Sequence, residues 1–318
     1  MGIRFFSDRD RPVHLGPYPL ERLRRLPAMP DLSRVPAMAP LDFRRPQQPE
    51  SIVNAMGEYQ AMMDAIRDGL VNAVKSDIPA DPAERADHLK AFGYFSDASM
   101  VGTGPLPSAA MLAEPLRNPD IDRLAPDLKT RQTKTLASGI DMIMADLKES
   151  MEAPPTTIDG HTRAIVFLYE HFRDPRPDEP GSDWILDAQD HRACLRATET
   201  AVVIANYIRL LGFGARAHSA AASDVDLGRL AVAAGLASHE DGELVAPWLG
   251  RRFGLAAVTT DMTLACDAPL APMASQPRFA MSGPAWWLGK DSAKSALNRD
   301  PYAGRNYADG AHPFEKLK

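Results

Sequence analysis

The spacing of apolar residues divides the chain into a short series of helices and strands. From Glu50 to about Ala73, Ile52, Met56, Tyr59, Met63, Ile66 and Leu70 recur every three or four positions, with Asp and Arg between them. That spacing predicts an amphipathic helix. Its methionines read as core packing, because Met is an adaptable filler of apolar interiors. A second helix is expected after Asp81, where Pro82 suits the first helical turn, and runs to about Phe92. Residues 94–117 read as a strand with turns, and Ser138 to Ser150 as a third helix. The run from Thr162 to Tyr169 is apolar and rich in strand formers, bounded by Gly160 and Asp174-Pro175, and predicts a buried central strand. A long helix is expected from Ala188 to Leu211. Ala197, Ala201, Ile204, Ala205, Ile208 and Leu211 share one face, and Gly212 supplies the stop. Ala215 to Ala221 reads as a strand, Leu227 to Leu236 as a helix and Leu255 to Leu264 as a strand. No repeat of 20–50 residues interrupts this order. Strands alternating with helices predict a three-layer α/β or α+β domain.

Composition narrows the reading only a little. With 318 residues, the chain can bury a large core as one domain or two. A net charge of −6 gives no support for nucleic-acid binding. No stretch reaches the roughly 18 apolar residues of a membrane span. The first residues lack the apolar core of an export signal, so a cytoplasmic protein is expected. The two cysteines, Cys194 and Cys266, argue against a disulfide framework. The 28 prolines gather in residues 12–49, 154–180 and 269–313 and predict extended connectors. The expected organisation is a Pro-rich arm over 1–49, a domain over 50–270 and a connector or partner-packing tail over 271–318. Leu20, Leu23, Met29, Leu41 and Phe43 give the arm apolar anchors on this chain or on another one.

Residue chemistry alone is sparse. His161, His171, His191, His218 and His239 show no metal-ligand spacing, so no metal site is expected. Cys194 falls near a helix start, where a thiolate is favoured, but only His191 lies near it in sequence and no nucleophile is expected. Gly102-Thr-Gly-Pro reads as a turn.

Three pieces in fixed order carry more information: Tyr207-Ile-Arg-Leu-Leu-Gly-Phe, Ala234-Gly-Leu-Ala-Ser and Thr260-Asp-Met-Thr-Leu. Their order and spacing resemble the corrinoid domain of reductive dehalogenases and of the related epoxyqueuosine reductases. The resemblance implies an α+β, nitroreductase-like three-layer scaffold, with a mainly antiparallel central sheet flanked by helices. It also implies cobalamin as cofactor, with Ala222, Ser223, Asp224, Thr259 and Thr260 as candidate corrinoid contacts. Small residues let a backbone approach a flat macrocycle closely, or simply pack a helix tightly on a strand. The two threonines suit a corrin amide or a β-ladder equally.

The chain departs from the family where electrons are delivered. Members carry Cys-x2-Cys-x2-Cys-x3-Cys-Pro clusters after the Thr-Asp strand, whereas Ala271 to Lys318 contains no cysteine. No iron–sulfur cluster is therefore expected, and no catalytic residue is assigned. The chain resembles the N-terminal, degenerate half of the cytoplasmic catabolic enzymes, which packs on the active half as a pseudo-dimer. The expected function is a non-redox half or subunit supporting a corrinoid dehalogenase of aryl halides. The expected partner is that catalytic half or a second copy. Alternatives are a stand-alone cobalamin-binding or processing protein and, less favoured, a flavin-dependent nitroreductase-like enzyme.

Overall fold

The computed structural model describes residues 11–123, 157–172, 174–277 and 280. The helix expected at Ser138–Ser150 and the aromatic tail from Pro284 onward lie outside the described residues. Five helices are described: α1 (Ile52–Ala65), α2 (Pro82–Phe95), α3 (Ser182–Ile185), α4 (Gln189–Leu210) and α5 (Leu227–Ala233). The strands are β1 (Met100–Pro105), β2 (Met111–Leu116), β3 (Arg163–Glu170), β4 (Ala215–His218), β5 (Ser223–Val225), β6 (Ser238–Glu240), β7 (Glu243–Val245) and β8 (Phe253–Thr260). No helix among the described residues is long and apolar enough to cross a membrane.

The central sheet has the order β1-β3-β8-β4, and every pairing in it is antiparallel. Its register sets Arg163 opposite Thr260 and Glu170 opposite Phe253. Strand β3 is buried at all six interior positions, which explains its continuous apolar run: a strand covered on both faces has no polar face to alternate with. On one side, Ile165, Phe167, Ala256 and Val258 pack with α2 and the buried stripe of α4. On the other, Ala164, Val166, Leu168, Leu255 and Ala257 pack with α5, Trp248, and Tyr18 and Leu23 of the N-terminal segment. The result is the expected α+β arrangement, an antiparallel sheet with helices on both faces.

Local chemistry sets the helix ends. Asp81 accepts a hydrogen bond from Ala83 N at 2.9 Å and Pro82 opens α2, a favourable N-terminus. Helix α4 stops at Gly212, whose φ of +86° suits glycine, and Phe213 N closes back on Ile208 O at 3.2 Å. Helix α1 is shorter than its apolar spacing predicts. Past Ala65, Asp68 captures Gly69 N at 2.9 Å and Asn72 captures Val74 N at 3.1 Å. Such side-chain-to-backbone bonds compete with helix formation. They turn residues 66–76 across the end of α4, where Asn72 N reaches Arg209 O at 3.0 Å.

The described part of the arm, residues 11–49, lies on its own chain. Arg25 forms an antiparallel bridge with Leu270, and Leu26 N donates to Pro269 O at 2.8 Å. Further along, Met38 N donates to Asp226 Oδ2 at 2.9 Å and Leu41 N to Ala220 O at 3.0 Å. Phe43 is buried against Cys194 and Ala221. A cleft of about 220 Å³ opens between residues 40–44 of this strap and residues 116–120, with Ala221 on its wall.

Candidate functional site

Period-two geometry in β4 places Arg216 and His218 on one face, where Arg216 pairs opposite Thr259 of β8. His218 is 1% exposed and lies within hydrogen-bond reach of the Thr259 hydroxyl, 2.9 Å from Nε2 to Oγ1. His161 approaches the same hydroxyl, 2.8 Å from its Nδ1. A hydroxyl donates one proton, so it donates to one imidazole and accepts from the other. Asp224 N donates to His218 Nδ1 at 3.3 Å, which leaves the proton of neutral His218 on Nε2. The chain of bonds therefore runs from His218 through Thr259 to His161. Burial holds His218 well below the ordinary histidine range, and the nearby Arg67 guanidinium adds to that effect.

Asp224 anchors this row electrostatically. Its Oδ2 accepts Arg67 Nη1 at 2.8 Å and Arg216 Nη1 at 3.1 Å, while Arg216 Nη2 reaches Asp68 Oδ2 at 2.7 Å. Burial alone would raise the Asp224 carboxyl; the field and hydrogen bond of Arg67, with His218 and Arg216 behind it, win and hold it below the ordinary range. The four charges alternate along one row, Arg67, Asp224, Arg216 and Asp68.

A second polar knot lies under the strap. Ser219 Oγ donates to Asp64 Oδ1 at 2.7 Å and accepts Ala221 N and Ala222 N at 3.1 and 2.9 Å. Gln60 and Asn118 donate to Asp64 at 3.0 and 2.8 Å. Burial nevertheless pushes the Asp64 carboxyl up, outweighing the hydrogen bonds from Asn118, Ser219 and Gln60 and the field of Arg67. Cys194, buried beside Gln60 and Thr198, has its thiol pushed up to about 12 by burial, the opposite of an activated thiolate.

The structure thus joins Asp224 and Thr259 through His218, and ties Ala222 to Asp64 through Ser219. The other two residues chosen from the sequence stay apart from these networks. Ser223 Oγ bonds locally to Val225 O at 2.5 Å, and Thr260 Oγ1 donates to Gly214 O at 2.6 Å. No spacing in the sequence pairs Arg67, Asp68, Asp64 or His161 with these positions. The alternation Ala-Arg-Ala-His in β4 signals a shared face for Arg216 and His218, but nothing local ties either to Arg67, far earlier in the chain.

No protein-family model and no curated protein sequence matches the chain. Solved structures do. The chain is related by sequence and fold to the reductive dehalogenases. The catabolic reductive dehalogenase NpRdhA aligns over 89% of this chain and 34% of its own, with 35% identity and a TM-score of 0.64. NpRdhA in complex with 3-bromo-4-hydroxybenzoic acid aligns over 91% of this chain and 34% of its own, with 34% identity and a TM-score of 0.62. A reductive dehalogenase structure described for B12-dependent dehalogenation aligns over 99% and 35%, with 33% identity and a TM-score of 0.64. The chain spans about a third of the length of these relatives.

The relatives raise the question of a corrin, and the residues around the sequence-chosen positions do not fit one. Ala222, Ser223, Thr259 and Thr260 are each at most 2% exposed, and their polar groups are spent within the protein. The strap already takes the Ala220 carbonyl. The neighbouring cleft, about 220 Å³, is below the roughly 300–1,000 Å³ of pockets for much smaller ligands.

Proposed function

We propose that this chain is the non-redox, N-terminal portion or subunit of a corrinoid-dependent reductive dehalogenase acting on aryl halides. Its role is to support a cysteine-rich catalytic partner. One observation carries the reading: identity of 33–37% to reductive dehalogenases over most of the chain, confined to about a third of their length. The cysteine count agrees with it, since a four-thiolate cluster cannot be assembled from Cys194 and Cys266 alone. In this reading the scaffold is nitroreductase-like and cytoplasmic. The surface of a cobalamin domain has become a seat for the chain's own strap. Asp224 and Thr259 then serve to pin β4, β5 and β8 together, in place of gripping a macrocycle.

The stand-alone cobalamin-binding reading draws on the B12 dependence described for one relative. It requires the strap over 38–45 to leave and Ser219, Ala222 and Thr259 to exchange their partners. Co-expression with a neighbouring cysteine-rich corrinoid protein tests the proposal. A stoichiometric complex, with dehalogenation lost when this chain is omitted, is the expected result. Full activity of the other protein alone, with no complex formed, would overturn it.

A further inference from the structure

The outer face of the helix layer carries a row of apolar side chains that the described residues leave bare. Burial takes Ala197, Ala201, Ile204, Ala205 and Ile208 of α4, while Val203, Tyr207 and Leu210 face outward. Tyr207 stacks on Phe92 of α2 with centroids 5.9 Å apart, and α2 ends in the exposed Phe95. At the other end of the row, Asn72 donates from N to Arg209 O at 3.0 Å and from Nδ2 to Leu210 O at 3.2 Å. Those bonds bring the exposed Leu70 and Val74 beside Leu210. The six side chains of the row are between 43% and 83% exposed. A single exposed apolar residue is ordinary, but a contiguous row is a mark of an interface. Together they present on the order of 600 Å², the upper end of the largest patch on a typical monomer. That is most of the roughly 800 Å² that each partner gives to a standard interface.

We infer that this face binds a second copy of the chain, as the interface of a two-fold dimer. The row is self-complementary end to end. Phe95 marks one end, where Asp97 meets Arg196 of α4 at 3.3 Å. Leu70 and Val74 mark the other, beside Leu210, about 21 Å further along the same helix. A two-fold axis near Val203 and Tyr207 sets Phe95 of each copy on Leu70 and Val74 of its partner, as an isologous interface requires. Asn206 is exposed in the same stripe and lies near that axis, where two amides satisfy each other. The charges flanking the row are already engaged within the chain. Arg196 also holds Glu199 at 2.7 Å, and Lys75 lies over the Phe213 ring at 4.6 Å. The described ends of the chain lie elsewhere. The arm bonds to Ala220, Asp226 and Pro269, and Ala280 sits against Trp248 on the opposite side of the sheet.

Sedimentation velocity of the full chain, from low to high micromolar concentration, tests the inference. The expected result is a species of two chains. Val203→Asp combined with Leu210→Asp places unpaired carboxylates on both sides of the interface and should weaken the dimer at least about a hundredfold. Leu70→Asp combined with Val74→Asp should do the same from outside α4, so that a disturbed helix cannot account for the loss. Trp184→Asp, at an exposed apolar residue of α3 outside the row, should leave the dimer intact. Protected amides in β3 and β8 report that each variant folds. A native chain that stays single at high micromolar concentration, or a dimer untouched by either double variant, would overturn the inference. So would a single chain that uses the row to bind a cysteine-rich partner, with binding lost in the double variants. A single chain whose row becomes accessible only when its own residues 281–318 are removed would overturn it as well.

Discussion

Replacing Asp224 by Ala lowers the stability of the chain by about 3–5 kcal/mol, the usual cost of removing one partner from a buried ion pair. The Arg216 side chain is 4% exposed and that of Asp224 12%, so solvent does little to relieve the loss. Two guanidiniums, from Arg67 and Arg216, converge on the same carboxylate oxygen, and His218 stands beside it at 3.6 Å. Without that oxygen the cations repel each other at the edge of the sheet. Urea unfolding of the two chains at pH 7 measures the difference. Because Asp224 is held below its ordinary range, its contribution is complete above about pH 4, the unfolded range of an aspartate, and disappears as acid protonates the folded carboxyl. A loss under about 1 kcal/mol at pH 7 would place Asp224 among ordinary surface ion pairs and contradict the arrangement described.

Phe43→Ala costs a similar amount, about 3–5 kcal/mol, as buried Phe-to-Ala changes do when the surroundings cannot collapse. Phe43 is 3% exposed and meets the His191 ring edge-on with centroids 5.0 Å apart. Its backbone lies so near α1 that a Cβ on Gly57 would fall 2.9 Å from the Phe43 carbonyl oxygen. The floor is made of Gly57, Cys194 and Ala221, and of the partly buried neighbours Leu41, Met56 and Ala220 only the first two have side chains long enough to fill part of the vacated space. The loss should be accompanied by faster proteolytic cutting within residues 36–49, whose anchor it removes. Unfolding at the native midpoint, with the strap still resistant to protease, would show that the strap contributes nothing to the fold.

The elements that the sequence announces are those whose pattern reflects burial on one or both faces. Strand β3 is visible because no polar face interrupts it, and α4 because Ala197, Ala201, Ile204, Ala205 and Ile208 are wholly buried. Apolar spacing overshoots in α1, where Asp68 and Asn72 bond to the backbone and end a helix that Ile66 and Leu70 would continue. The hairpin β6-β7 is too short to show alternation. Its Asp241-Gly242 turn, with φ of +50° and +85°, is the dipeptide expected of a two-residue hairpin loop.

The site is less legible for a different reason. Asp224 and Thr259 follow from the resemblance, but their partners are set by tertiary placement. Arg67 and Asp68 sit in the turn after α1, and His161 precedes β3, so no local spacing reveals that they meet β4. Likewise, whether the arm covers this chain or another cannot be read from its prolines. Its hydrogen bonds to Ala220, Asp226 and Pro269 decide it.

Under the proposed function, the scaffold of a reductive dehalogenase segment carries its own strap and side chains where a corrin would otherwise lie. Titrating the purified full chain with hydroxocobalamin tests it most directly. The account predicts an unchanged corrin absorption spectrum and no corrinoid retained after gel filtration. One equivalent retained with a shifted spectrum would contradict it.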